Sequence, residues 1–289
     1  IKKVAKQYRQ RVLNEVRVLY NFIHPNILKF INWYETSNHI WIIEEFCAGG
    51  DLYKILQEDK ALPEWSIREF AQDILQGLLY VHEEGHLYCD LKPSNLVLLE
   101  DGTVKLCDFG LSRPVNDDQE VHVEGEENEE FALSQPGENQ RQGSPYYMAP
   151  ELFHDLGTHS YASDLWSLGC LLYEMASGRT PFFSRVLHKL IIKIMNDDVK
   201  PVKGMSDAFN DFLLSLLQKD PTRRMTWEDI ARHPWLTHGE HTEIKLPEIR
   251  EMPFQPRYQA MVKNLREAGV IAPAPDDEHD EDGSNHHHH

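Results

Sequence analysis

Residues 88–95 read Tyr88-Cys89-Asp90-Leu91-Lys92-Pro93-Ser94-Asn95, and they are followed by Asp108-Phe109-Gly110 and later by Ala149-Pro150-Glu151. A solitary Asp usually caps a helix or a turn, and Asp90 or Asp108 alone would deserve that reading. Asp90, Lys92 and Asn95 instead place an acid, a cation and an amide in one short loop. Further along stand Asp164-Leu165-Trp166-Ser167-Leu168-Gly169 and Asp220-Pro221-Thr222-Arg223-Arg224. Each run is weak by itself, and the ordered set is not.

The chain has 289 residues, 41% hydrophobic and 26% charged, enough to bury a core in one large domain or two lobes. Acidic residues outnumber basic ones 47 to 29, and the net charge of -18 opposes nucleic acid and anionic membrane as partners. No apolar run approaches the ~20 residues of a membrane span. Cys47, Cys89, Cys107 and Cys170 lack the close pairing of a zinc or redox motif, so buried free thiols in a reducing, cytoplasmic setting are expected.

Apolar residues Val12, Leu13, Val16, Leu19 and Tyr20 recur at helical spacing over 7–22, and His24-Pro25 stops the pattern. Strand-like runs follow at 27–34 and 39–46 around a polar turn, and Ile1-Lys2 reads as the end of an earlier strand. Helical patterns then occupy 52–57, 63–84, 163–177, 185–195, 206–217 and 226–232. The polar stretches 116–142 and 238–289 read as an insertion and a tail. His286 to His289 read as an affinity-tag remnant rather than a metal site.

In order and spacing the quoted motifs resemble the catalytic loop, magnesium loop and activation-segment end of protein kinases. The resemblance implies an α+β, two-lobed protein-kinase fold. It places a partial small β-rich lobe at 1–47, a helical lobe at 48–238 with a long acidic activation segment at 108–151, and a tail at 239–289. It implies ATP and Mg as cofactors and a protein substrate, since phosphoryl transfer consists mainly of positioning and charge neutralisation. By that resemblance Asp90 is the base, Lys92 contacts the transferred phosphate, and Asn95 and Asp108 hold magnesium. Lys2, or Lys3 in its place, grips the α- and β-phosphates with Glu15 as ion-pair partner. Hinge backbone from Glu45 to Cys47 holds adenine above Val97. Ser144 beside the base makes Ser or Thr the expected acceptor, and Glu151, Arg224 and Asp164 are read as structural.

Residues 33–41 (Trp33-Tyr34-Glu35-Thr36-Ser37-Asn38-His39-Ile40-Trp41), 163–175 and Glu130-Phe131-Ala132-Leu133 closely resemble the Fused and Runkel branch of the Unc-51-like kinases. That branch is tied to microtubules and, outside plants, to motile cilia, which implies partners and a location in the cytoskeleton or cilium. One member is regarded as a pseudokinase that binds ATP without magnesium. The alternative reading is therefore a nucleotide-binding scaffold that assembles protein partners, although Asn95, Asp108 and Lys92 are all retained here.

Three features depart from the kinase pattern. No glycine-rich loop precedes Lys2, which suggests a fragment of a longer domain. Tyr88-Cys89 replace the usual His-Arg, so the cation for a phosphorylated activation segment is missing, while nine acidic residues crowd the segment between Pro114 and Gln142. These charges read as a solvated loop, or as bait for a basic partner. Finally, aligning the hinge puts Glu44 at the position normally held by an apolar or small hydroxyl residue, where a carboxylate is expected to contact Lys2 or narrow the pocket behind adenine.

Overall fold

The computed structural model describes residues 1–115, 145–154 and 158–237. The acidic insertion, Ser144 and the tail lie outside the described residues. Strands β1 (Lys2–Ala5), β2 (Phe30–Glu35) and β3 (His39–Glu44) form an antiparallel sheet in the order β1-β3-β2. Side chains alternate across a strand, so Ile40 and Ile42, both fully buried, face the interior together with Glu44. Lys2 pairs with Ile42 and Val4 with Ile40, which puts Lys2 on that same inward face. The strand thus continues to Ala5 instead of ending at Lys2. Its ladder partner lies forty residues downstream, and its own Lys-Lys-Val-Ala sequence has no alternation to announce it.

Helix α1 (Arg9–Asn21) packs under the sheet through Val12, Glu15, Val18 and Leu19, a stripe at helical spacing. It stops where Phe22 turns to extended backbone, and the His24 and Asn26 side chains then tie the next loop down. His24 Nδ1 accepts from the Asn26 amide at 3.0 Å, and Asn26 Nδ2 donates to Val104 O at 2.9 Å. Residues 27–29 leave the sheet for the same reason: Leu28 donates its amide to Leu106 O at 2.9 Å, and β2 starts only at Phe30.

The helical part comprises α2 (Leu52–Asp59), α3 (Glu64–Glu83), α4 (Tyr161–Ser177), α5 (Leu187–Asn196), α6 (Asp207–Leu216), α7 (Trp227–Arg232) and α8 (Pro234–Thr237). Asp51 caps α2 by accepting from the Lys54 amide, and Ser160 with Ser163 forms a capping box on α4. Helix α4 is buried on nearly every side, as a core helix should be. At Gly169 a Cβ would come within 2.7 Å of Leu217, so glycine there lets α4 approach the end of α6. Two short antiparallel pairs frame the cleft: β4 (His86–Leu87) with β7 (Arg113–Pro114), and β5 (Leu96–Leu98) with β6 (Val104–Leu106). Among the described residues no helix is long and apolar enough to cross a membrane. The four cysteines are free; Cys170 is buried, whereas Cys47, Cys89 and Cys107 are only partly so.

Candidate active site

The loop between β4 and β5 carries Asp90, Lys92 and Asn95, and it is braced from below by α4. Asp164, buried, accepts from the Tyr88 amide at 2.8 Å, the Cys89 amide at 2.9 Å and His82 Nε2 at 2.8 Å. Trp227 Nε1 donates to His82 Nδ1 at 3.0 Å, which places the ring proton on Nε2, facing Asp164. This support holds Cys89 at φ +68°, a left-handed conformation that L-residues avoid at a cost of roughly 1–2 kcal/mol. Asp108 is likewise at φ +59°. Tyr88 is fully buried; it donates its hydroxyl to Cys107 O and meets Phe109 edge-on at 5.0 Å. Phe109 also meets Phe22, so the loop, the 108–110 turn and the end of α1 share one aromatic cluster.

Asp90 is 6% exposed. Its Oδ1 lies 3.7 Å from Lys92 Nζ, and its Oδ2 is sealed from solvent with no hydrogen-bond partner among the described residues. Burial, opposed by Lys92 and reinforced by Asp108, lifts its pKa to about 6. Asn95 donates its amide nitrogen to Asp90 O at 2.8 Å, leaving the amide oxygen as the atom it can offer a cation. Burial raises the Cys89 thiol well above its usual range, Asp164 adding to the effect and the nearby Arg113 opposing it. A cation from β7 therefore stands beside the residue where the sequence lacks one.

Across the cleft, Lys2 Nζ is 3.1 Å from Glu15 Oε2 and 3.8 Å from Asp108 Oδ1. Glu15 is only 2% exposed, and the helical stripe of α1 puts it there. Burial works to lower the Lys2 pKa, but Glu15, Asp108 and Glu44 outweigh it and hold the ammonium above its ordinary value. Lys3 points the other way, over the Trp41 ring, which separates the two lysines left open by the sequence. Lys2 does not ion-pair or hydrogen-bond with Glu44, and Glu44 Oε1 is buried without a partner among the described residues, so the first of the two expectations for Glu44, contact with Lys2, is not met.

Helix α1 grips the 108–112 turn with two further residues that the sequence reading passed over. Arg11 Nη2 approaches Asp108 Oδ1 at 4.0 Å, and Asn14 Nδ2 donates to Ser112 O at 2.9 Å and Gly110 O at 3.3 Å. A Cβ on Gly110 would come within 2.6 Å of Arg11 Nε, so the glycine makes room for the arginine. The signal was available, because Arg11 sits four residues before Glu15 and hence on the same face.

At the hinge, the Glu45 amide donates to Lys29 O at 2.9 Å, and the Glu45 carboxylate accepts from Lys105 Nζ at 2.9 Å and the Lys29 amide at 3.2 Å. Cys47 O accepts from the Gly50 amide at 3.4 Å in the turn that follows. Val97 lies between buried Leu96 and Leu98 on β5 and so faces the opposite way, half-buried. Farther off, Arg224 makes a two-pronged bond to Glu151, 2.7 and 3.0 Å, and donates to Ala162 O and Gln218 O.

Among the described residues no three His, Cys, Asp or Glu side chains cluster as a metal site. A hard cation between Asn95 and Asp108 would take its remaining oxygens from phosphate and water, which is how magnesium is commonly bound beside nucleotides, so the residues fit that ion.

The model of the protein kinase domain matches residues 1–236. The serine/threonine-protein kinase RUNKEL of Arabidopsis thaliana is 44% identical over 262 residues, 90% of this chain and 18% of the relative. The serine/threonine-protein kinase ULK4 of Mus musculus is 41% identical over 243 residues, 78% of this chain and 18% of that protein. Serine/threonine-protein kinase 36 of Mus musculus is 32% identical over 263 residues, 90% of this chain and again 18% of the relative. The chain thus spans less than a fifth of the length of these relatives. It belongs to the protein kinase domain family, in the branch that contains RUNKEL and ULK4.

Proposed function

We propose that the cleft transfers the γ-phosphoryl group of ATP to Ser or Thr hydroxyls of protein substrates. The observation that carries this reading is the buried Asp90 carboxylate: one oxygen faces Lys92 and the other has no hydrogen-bond partner among the described residues, as a group that receives a substrate hydroxyl would. Asp90 orients that hydroxyl and takes its proton as the new oxygen–phosphorus bond forms and the bond to the β-phosphate oxygen breaks, releasing ADP. Lys92 balances charge on the group in transfer. Lys2, fixed by Glu15, holds the α- and β-phosphates, and the backbone of Glu45 and Cys47 holds adenine above Val97. Asn95 and Asp108 are the residues for magnesium, which when bound neutralises phosphate charge.

A second reading is favoured by one observation: Asp108, the carboxylate assigned to the metal, faces the cations Lys2 and Arg11. On that reading the chain is a nucleotide-binding scaffold for protein partners. Either way, the resemblance to the Fused and Runkel branch supports partners in a microtubule- or cilium-associated pathway.

The test is phosphoamino-acid analysis after incubation with radiolabelled ATP and mixed Ser, Thr and Tyr peptides. Magnesium-dependent phosphoserine or phosphothreonine, lost in Lys92→Ala, supports the kinase. Nucleotide binding with no label above a no-enzyme blank supports the scaffold.

A further inference from the structure

Glu44 is the last residue of β3, on the inward face that carries Ile40, Ile42 and, across the pair, Lys2. Its side chain therefore lies on the inward side of the sheet, one residue before the hinge. Its Oε1 is sealed from solvent and has no hydrogen-bond partner among the described residues. Lys2, the nearby cation that could have served it, is bound instead to Glu15 and lies close to Asp108. The hinge beside it is tied down, because Glu45 is fastened through both its amide and its carboxylate. Burial, with Glu15 and Asp108 adding and Lys2 opposing, raises the Glu44 pKa to about 7. A buried acceptor without a donor is costly, and a ligand that brings the donor removes that cost.

We propose that Glu44 selects the base: its free oxygen accepts a hydrogen bond from the exocyclic amine of adenine and turns away a purine bearing a carbonyl oxygen at that position. This rests on the reading of the cleft as an ATP site. On the edge made by the 6-substituent and N7, adenine presents an amine donor and a ring-nitrogen acceptor, whereas a 6-oxopurine presents two acceptors. An ionised carboxylate offers acceptors only, and its protonated form still keeps one. In neither state can both groups of the 6-oxopurine edge find donors on Glu44. A site built around a specific polar partner discriminates strongly, because the wrong ligand leaves a buried group unmet.

The experiment is calorimetric titration of the chain with ADP and with IDP, which present an amine and a carbonyl oxygen respectively at the same purine position. Wild type, Glu44→Leu and Glu44→Gln are compared, each with and without magnesium. The proposal expects the preference for ADP to fall by about tenfold or more in both variants, the size of a lost hydrogen bond to a charged group. In Glu44→Gln the fall comes partly from tighter IDP binding, since the amide can donate to the carbonyl, and a misfolded protein could not supply that gain. A preference within about twofold of wild type in both variants overturns the proposal and leaves the nucleotide site standing. Wild type that binds ADP in neither buffer overturns both.

Discussion

Asp164→Asn removes one charge from the floor of the catalytic loop with almost no change in shape. Three groups face that carboxylate, the Tyr88 amide, the Cys89 amide and His82 Nε2, and all three are donors because Trp227 fixes the His82 proton on Nε2. An asparagine offers one oxygen and one NH2. With the oxygen toward Tyr88 and His82, the NH2 opposes the Cys89 amide; turned over, it opposes the other two. At least one buried donor is left unmet, costing about 1–3 kcal/mol, and the bonds that survive lose their charge assistance, about 1 kcal/mol each. The sum is roughly 3–5 kcal/mol, which at 2–4 °C per kcal/mol lowers the melting temperature by about 10 °C. The damage should be centred on Cys89, whose left-handed backbone is held there by the lost acceptor. Thermal unfolding followed by circular dichroism gives the first number, and hydrogen exchange of residues 88–90 gives the second. A melt within about 2 °C of wild type, with protection of that segment unchanged, would refute the reasoning.

Arg224→Leu leaves the Glu151 carboxylate and the carbonyls of Ala162 and Gln218 without their buried donor, so denaturant titration should show a loss of about 3–5 kcal/mol. A double mutant with Glu151→Leu should recover part of that loss, and failure to recover any would mean the pair is not coupled. Lys2→Met should weaken ADP binding by about tenfold or more while orphaning buried Glu15, measured by calorimetry; unchanged affinity would remove Lys2 from the phosphate site. His24 is held down to about 4 by burial, with Lys105 adding, against an ordinary value of 6.5. The unfolded chain therefore takes up its proton first as pH falls, so the stability His24 contributes is fully present above pH 6.5 and is lost between 6.5 and about 4. His24→Asn keeps an acceptor for the Asn26 amide and should flatten the fall in melting temperature across that window, only partly because His159 is also lowered to about 4, mainly by burial. Identical slopes for variant and wild type would exclude His24 as a source.

Helices were readable where an apolar stripe ran for several turns, as at α1 and α3; the stripe put Glu15 on the inward face of α1, and the pairing of Lys2 with Glu15 came from the kinase resemblance. The loop motifs were readable because their chemistry is compressed into a few consecutive residues. The β5–β6 pair was not, since strands of three residues such as Leu96–Leu98 are too short to show alternation. The reach of residues 27–29 toward β6 was also hidden, because an apolar run does not say which of two sheets it will join. Of the two expectations for Glu44, the contact with Lys2 did not form, for a different reason. Glu15, Asp108 and Glu44 compete for one ammonium, and only the packing of α1 and the turn of Asp108 decide which reach it.

The role proposed for Asp90 is phosphoryl transfer rather than architecture alone. The most direct measurement is incorporation of label from radiolabelled ATP with magnesium present, for wild type beside Asp90→Asn, with ADP affinity measured on both. Wild type should incorporate label, Asp90→Asn about 100-fold less or lower still, and both should retain ADP affinity. Equal ADP affinity with wild-type incorporation no higher than that of Asp90→Asn would contradict that role.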